Sequence, residues 1–335
     1  MIKSGKNIIK IINKETSLGS SRLELKISGD DINYVVINTI RRVILNNIPI
    51  YAFADFNFEK NTSIFHNNYL KQRFRQLPVW NIENKNNFID YKELKKKELE
   101  DINESKEEYN DDNNQELQEE KKDINMSSLK QLTMFISYKN KSNTIYTVST
   151  NDAKFYFDQK QIDSPYNNPI PLVKLQPNQE IIVSCITKLG TELEDAMYNA
   201  GLCYYNENKE NDFNFIIESR GQLTEKNILL VALDNIDRKI NTFIKLNNQE
   251  KYDDKEDGMI VSNDNDHTLG NLITRGMQQH KDINFASYRL PHPFVATVHF
   301  HYNLKKNGNI KKIINDVCEY YLDVFNDLKK QIKNI

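Results

Sequence analysis

Cysteine is scarce in this chain, and the few cysteines lack the spacing of a disulfide framework or a metal site. Cys185, Cys203 and Cys318 lie far apart, their number is odd, and no C-x-x-C pair occurs. The histidines do not lie near them at ligand spacing. A reducing compartment therefore fits the sequence better than an oxidising one. We expect no metal and no other cofactor.

The chain also lacks an excess of one charge and any long apolar run. Its 45 basic and 47 acidic residues leave a net charge of −2, so no global field draws it to nucleic acid or to an anionic membrane. No apolar run is long enough to cross a bilayer, and the N-terminus shows no secretory signal. These absences predict an intracellular protein that does not act at a membrane.

Catalytic constellations are equally absent. The sequence contains no phosphate-binding glycine loop, no acidic metal triad and no nucleophile with an evident base. His267 might be taken for a base, but it has no identifiable acidic or nucleophilic partner, and a role at a helix start is the better interpretation. We expect no catalytic residue, and no enzyme activity in the chain by itself.

One order of elements, strand, helix, strand and long helix, occurs twice. Residues 22–28 alternate and predict a strand, and a helix follows over the stretch that contains residues 38–42. In the second half, residues 259–262 predict a strand, and Asp266 or Thr268 caps the next helix. Each copy then ends in a long helix with an apolar stripe. An internal duplication of this kind favours two related units.

The stretches between the two copies differ in composition. Residues 81–128 are rich in Lys, Glu, Asp and Asn, and with few apolar side chains they predict a disordered insertion. Residues 129–212 contain short strand-like runs separated by prolines and predict a β-rich insert domain. Residues 247–258 read as a polar linker. The predicted duplicated domains are residues 1–80 with 213–246, and residues 259–335.

The residues of both copies resemble a known family. The His-Thr-Leu-Gly-Asn-Leu run at 267–272, followed by residues 285–293, is similar to the small alpha-like subunit of multisubunit RNA polymerases, the eleventh subunit of polymerase II. The first half resembles the larger alpha-like subunit, the third subunit of polymerase II, over residues 38–44, 61–66, 171–180 and 215–223. Archaeal counterparts and the bacterial alpha N-terminal domain belong to the same family.

Two features of the chain depart from the cellular subunits. Larger subunits of this type often carry a cysteine cluster in the insert, which this chain lacks, so the resemblance implies no metal here. Cells make the two subunits as separate chains, whereas here they are fused, as in nucleocytoplasmic large DNA viruses.

The resemblance implies a fold of the α+β class. Two alpha-like dimerisation units, each an antiparallel sheet with helices, would form a pseudo-heterodimer within one chain, with a mostly β insert domain in the first unit. The implied interface consists of Ile37, Ile40, Ile44, His267, Leu269, Gly270, Leu272, Ile273, Val317, Tyr321 and Val324. Gly270 would allow close backbone approach between the halves, although a glycine in a first helical turn can also be merely tolerated.

Two further groups of residues would contact the large polymerase subunits. The first is the pair Arg41 and Arg42, which could equally form a solvated, ion-paired surface. The second is the loop with Asn61, Thr62, Ser63 and His66, for which plain turn chemistry is the alternative.

The resemblance implies a noncatalytic assembly platform of a DNA-directed RNA polymerase, bound to the two large catalytic subunits and to small subunits, and not a homo-oligomer. DNA would be contacted only indirectly. We expect a cytoplasmic viral factory, a virion or the host nucleus as its location. The alternative is a nucleic-acid-binding regulator that uses lysines near residues 92–97 and Lys305, Lys306, Lys311 and Lys312.

Overall fold

The computed structural model of the chain describes residues 5–17, 20–80, 131–157, 160–249, 256–263, 266–292, 297–305 and 309–334. The predicted disordered insertion, residues 81–128, lies outside this description. Within the described ranges the elements, in chain order, are β1 (Asn7–Ser17), β2 (Ser20–Gly29), α1 (Tyr34–Asn46), β3 (Ile50–Asn61), α2 (Asn67–Arg75), β4 (Leu132–Lys139), β5 (Tyr146–Ser149), β6 (Ala153–Phe157), β7 (Lys160–Ile162), β8 (Pro171–Leu175), β9 (Glu180–Gly190), β10 (Gly201–Lys209), β11 (Asp212–Ser219), α3 (Glu225–Gln249), β12 (Asp257–Asn263), α4 (His267–Gln279), β13 (Ile283–Arg289), β14 (Thr297–Leu304) and α5 (Ile310–Asn334).

The elements group into two compact units. Unit one comprises residues 1–50 and 191–335, and unit two comprises residues 51–190. All strand pairs with a described register are antiparallel. The predicted α+β class, with two alpha-like units and a sheet-rich insert, is confirmed.

The boundaries of the units differ from the predicted domain boundaries. β10 was predicted inside the insert (129–212), but it pairs along its whole length with β11 in unit one. β3 was predicted in the first dimerisation domain (1–80), yet beyond Ile50 it belongs to unit two, because Tyr51 and Phe53 enter the core of that unit. The predicted linker (247–258) is shorter in the structure, since α3 continues to Gln249 and β12 begins at Asp257.

Unit one contains two sheets that repeat one arrangement. The first has the order β1-β2-β11-β10 and the second the order β12-β14-β13. In each sheet the strand before the short helix pairs with the strand before the long helix: β2 pairs with β11, and β12 with β14. The predicted duplication therefore appears as two sheets of the same topology.

The short helices begin at side chains suited to their role. Asn33 accepts hydrogen bonds from the N–H groups of Val35 and Val36 at the start of α1. Asp266 accepts bonds from Thr268 and Leu269 at the start of α4. These caps satisfy N–H groups that have no partner within the helix. Asp266, rather than Thr268, is the cap.

Unit two is built on the sheet β3-β9-β4-β6-β7, with β5 and β8 forming a separate pair. Alternate residues of β4 and β9 point into its core, as period-two strands require. Among the described residues, no helix is long and apolar enough to cross a membrane.

Candidate functional site

The two short helices, α1 of the first half and α4 of the second, contact each other in unit one. The Nε–H of Arg42 donates a hydrogen bond of 2.8 Å to the hydroxyl of Thr268. A polar cleft of about 110 Å³ opens at this contact and is lined by Asn38, Thr39, Arg42, His267, Thr268, Asn271 and Tyr288. The two motifs that the sequence singles out therefore meet within one chain.

Arg42 does not have the purely outward role that was predicted for it. Its guanidinium crosses to the other half through Thr268, whereas Arg41 donates to Asn38 of its own helix at 2.9 Å. Both side chains are half-buried. Arg42 thus belongs to the contact between the halves, whereas the bond of Arg41 stays within its own helix.

The predicted apolar interface residues lie in the core of unit one. Ile37, Ile40, Ile44, Leu269, Leu272, Ile273, Val317, Tyr321 and Val324 are all buried. His267 lies at the rim of the cleft, where its ring contacts Tyr288 edge-on. Whether each apolar side chain touches the opposite half stays a prediction, but all of them are withdrawn from solvent.

Gly270 serves a different contact from the predicted one. A Cβ atom at this position would lie 2.8 Å from the ring of Tyr288 and 3.2 Å from Val298. Both residues belong to the sheet of the same half. The glycine lets α4 lie closely on its own sheet, and the predicted close approach to the other half is not what this geometry shows.

The long helices α3 and α5 pack antiparallel across the halves. Asn248, near the end of α3, accepts a hydrogen bond from Lys311, near the start of α5. At the opposite end, Lys329 forms an ion pair with Asp234 and lies 3.9 Å from Asp237. A lysine-to-carbonyl bond near one end and an ion pair farther along therefore hold the two helices in this alignment. Sequence analysis had named Lys311 only as a candidate nucleic-acid contact and did not single out Lys329, Asp234 or Asp237.

A buried polar cluster also joins the halves. The Tyr320 hydroxyl donates to Asp31 at 2.9 Å, and the same carboxylate accepts bonds from Asn7 and from the backbone of Gly5. Burial, together with the bond to Asp31, raises the pKa of Tyr320. Sequence analysis missed this cluster, because isolated polar residues carry no periodic signal.

One aromatic contact and one pair of hydrogen bonds also connect the two halves. Phe243 of α3 lies against Phe300 of β14, with ring centroids 5.7 Å apart. Gln331 of α5 bonds to both the N–H of Ile9 and the C=O of Asn7 on β1. We call the contacts of α1 with α4, of α3 with α5 and β14, and of α5 with β1 and Asp31 the seam.

Two carboxylates at the seam have perturbed acidity. Burial opposes ionisation of Asp266, but Lys239 and the N–H groups at the start of α4 outweigh it, so its pKa lies below the ordinary value. Burial raises the pKa of Asp237 to about 6, although Lys329 acts in the opposite direction.

The loop predicted to contact the large subunits lies in unit two. Asn61 accepts bonds from the backbone and hydroxyl of Ser63 and donates to Phe65, which is the turn chemistry considered as the alternative. His66 caps α2 by accepting from Asn68. The exposed positions of this segment are Thr62, Ile64, His66, Asn68 and Tyr69, so two of the four predicted residues, Thr62 and His66, face solvent.

Ile64 is 67% exposed and Tyr69 51% exposed, so two large apolar side chains of this segment face solvent. Sequence analysis missed both, because exposure cannot be read from a single isoleucine or tyrosine. We call Thr62, Ile64 and Tyr69 the loop patch.

The histidines and lysines that the sequence offered as metal or nucleic-acid candidates have the following surroundings. His299 and His301 lie on one strand, and the described part of the chain contains no cluster of three His, Cys, Asp or Glu side chains suited to a metal. Lys305 and Lys311 donate to backbone carbonyls of Lys281 and Asn248. Lys306 and residues 92–97 lie outside the described residues.

Comparison with known proteins agrees with this arrangement. Two models of one family, described as the RNA polymerase Rpb3/Rpb11 dimerisation domain, match residues 26–240 and residues 258–331. The chain is 26% identical over 323 residues to a protein of Acanthamoeba polyphaga mimivirus that is provisionally named a DNA directed RNA polymerase subunit. That alignment covers 91% of this chain and 89% of the viral protein.

Shorter similarities involve cellular proteins. The RPAC2 subunit of DNA-directed RNA polymerases I and III from Danio rerio is 27% identical over 94 residues, which cover 25% of this chain and 82% of that protein. The rpb11 subunit of DNA-directed RNA polymerase II from Dictyostelium discoideum is 34% identical over 64 residues, which cover 19% of this chain and 53% of that protein.

Proposed function

Because the chain belongs to the RNA polymerase Rpb3/Rpb11 dimerisation family and carries two such domains in tandem, we propose that it is a noncatalytic assembly platform. It holds the largest and second-largest subunits of a multisubunit DNA-directed RNA polymerase together. The observation that carries the proposal is the seam. Two related family domains that pair through their helices inside unit one make one preformed surface on which larger subunits can be collected.

Fusion gives this platform a physical advantage. Tethering converts the pairing of the two family domains into an intramolecular step. For a short flexible linker the effective concentration is on the order of millimolar. The two family domains therefore pair even when the concentration of the protein is low. We propose that it acts as a monomer with an internal seam and binds small polymerase subunits as well.

The large-subunit contacts are proposed at Arg41 and at the loop patch. The Nε–H of Arg41 donates to Asn38 of its own helix, and the guanidinium can still meet an acidic partner. Ile64 and Tyr69 can enter an apolar pocket, as the central residues of protein interfaces do. Arg42 and Asn61 contribute indirectly, because each holds local structure in place.

Similarity to a mimivirus protein over 91% of the chain supports a viral polymerase. We therefore propose a viral factory in the cytoplasm, or the virion, as the place of action.

Affinity purification of the tagged chain, with quantitative mass spectrometry of what accompanies it, tests the proposal. We expect both large polymerase subunits in equal amounts. Ile64→Asp should reduce their recovery, whereas Ile145→Asp, at a 64% exposed position of the same unit, should not. Recovery of the chain without large subunits, together with salt-dependent binding of the pure chain to duplex DNA, would favour the nucleic-acid-binding regulator instead.

A further inference from the structure

The repeated topology of unit one exposes a difference between its two sheets. The first sheet has four strands and the second has three in the described residues, and their shared part aligns β2 with β12, β11 with β14 and β10 with β13. Among the described residues β1 has no counterpart, and no described strand lies beside β12 as β1 lies beside β2. We call this place beside β12 the vacant position.

The backbone of β12 is ready to accept a strand at this position. Glu256 accepts a hydrogen bond from the N–H of Leu304, so Glu256 faces β14. In an antiparallel ladder the facing direction alternates, and the N–H and C=O groups of Met259 and Val261 therefore point away from β14. No strand among the described residues pairs with that edge. An unpaired edge of this kind is a template for β-strand addition.

The first sheet shows how such a strand is bound. With α1 and α4 superposed from their first residues, Met259 and Val261 correspond to Lys26 and Ser28 of β2. In the first sheet these two positions lie opposite Lys10 and Ile8 of β1. A strand beside β12 would make the equivalent pairs with Met259 and Val261.

The side chains around the vacant position are apolar where their counterparts are polar. Met259 and Val261 are each 46% exposed, although they replace a lysine and a serine. In the first sheet, Gln331 of α5 accepts a hydrogen bond from Ile9 of β1. The equivalent position of α3, three residues before the last residue of the helix, is Leu246, which is 38% exposed. The vacant position therefore presents an apolar surface on the sheet and on the neighbouring helix.

The chain itself has too little length to fill this position from the segment before β12. Only six residues separate Gln249, the end of α3, from Glu256, whereas β1 has eleven. We propose that the outer edge of β12 is a docking site for one extended segment of another polypeptide, bound antiparallel, with apolar side chains opposite Met259 and Val261. Glu256 and Asp257, both exposed, favour a basic residue near the C-terminal end of that segment.

The probe is a synthetic peptide with the sequence of β1, residues 7–17, that carries Lys10→Ile, so that apolar side chains lie opposite both Met259 and Val261. Hydrogen exchange of the full chain is the measurement. At saturating peptide, exchange of the Met259 and Val261 amides should slow about tenfold. A peptide of the same composition in scrambled order should have no effect. Absence of slowing with the β1 peptide, or slowing confined to other strand edges, would overturn the proposal.

Val261→Pro provides the matched variant. Proline is tolerated on an edge strand where its nitrogen faces solvent, but it cannot donate to an added strand. The variant should keep the circular dichroism of the parent chain and lose the peptide-induced protection at Met259, while Val261→Ala should keep it. If β12 were instead protected without peptide as protein concentration rises, with a dimer in sedimentation, a second copy would be the occupant and the proposal would be wrong.

Discussion

Arg42 of the first half and Thr268 of the second are joined by a hydrogen bond of 2.8 Å. Each residue lies in the short helix of its own half of the chain, so this bond directly connects the two segments that most resemble the family. The half-buried guanidinium makes the bond charge-assisted on the donor side. Arg42 therefore contributes to the seam.

The first prediction concerns this pair. Arg42→Gln and Thr268→Val should each lower the free energy of unfolding, and the double variant should lose less than the sum, with a coupling of about 1 kcal/mol. Urea unfolding of the four proteins measures it. Arg41→Gln, whose bond stays within α1, is the control and should show no coupling to Thr268→Val. Additive losses for Arg42 and Thr268 would contradict the account.

The second prediction concerns the buried bond between Tyr320 and Asp31. Tyr320→Phe removes a donor that the buried Asp31 carboxylate shares with Asn7 and Gly5, so the free energy of unfolding should fall by about 2 kcal/mol. Tyr34→Phe, at an exposed tyrosine, should change it by less than about 0.5 kcal/mol. Equal effects of the two substitutions would show that the cluster contributes nothing to the seam.

The third prediction concerns Gly270. Alanine is a better helix former by about 1 kcal/mol, yet a Cβ atom would lie 2.8 Å from the Tyr288 ring. Overpacking should outweigh the helix preference, and Gly270→Ala should destabilise the chain by about 1–3 kcal/mol. Thermal unfolding measures the change.

Truncation of the ring provides the check on Gly270. In a chain that already carries Tyr288→Ala, the alanine at position 270 should cost less, because its nearest neighbour is gone. An increase in stability of the single Gly270→Ala variant would mean that the close contact is not restrictive.

The fourth prediction concerns pH. The carboxyl of Asp237 has an ordinary pKa of 3.8 and a pKa of about 6 in the folded chain. A raised pKa favours the folded state while the group is protonated. Its contribution is therefore complete below about pH 4 and lost as the pH rises through about 6.

Asp237→Asn removes this titration. The stability of the parent chain relative to the variant should fall between about pH 4 and about pH 7, as measured by urea unfolding across the range. The exposed Asp163, changed to Asn, serves as the reference substitution. A relative stability that rises over the same range would reverse the sign and refute the assignment.

The sequence predicted the duplicated order of elements and the helix start at Asp266, because alternation, helical spacing and a capping aspartate are local signals. It did not predict β1. Its isoleucines come in adjacent pairs, Ile8 with Ile9 and Ile11 with Ile12, so the period-two pattern is lost in an edge strand with a register shift after Ile11. Local patterns identified elements with one buried face and missed this one.

The sequence predicted where helices and strands lie better than it predicted which strands pair and which side chains bond. β10 lies among residues that were predicted to form the β-rich insert, and only its pairing with β11 places it in unit one. Arg42 and Arg41 are adjacent in sequence, but helix geometry directs one to Thr268 and the other to Asn38. The resemblance to a family predicted which region joins the two halves. The polar contacts in that region were visible only in the structure.

Separation of the chain between α3 and β12 tests the central claim, that two family domains pair within one polypeptide, most directly. Residues 1–249 and 256–335, co-expressed as two chains with a tag on the first only, should co-purify as a complex with one copy of each, and sedimentation should show a heterodimer that dissociates on dilution. Tyr320→Phe in the shorter chain should weaken it. Homodimers of either half, or recovery of the first half alone, would contradict the account.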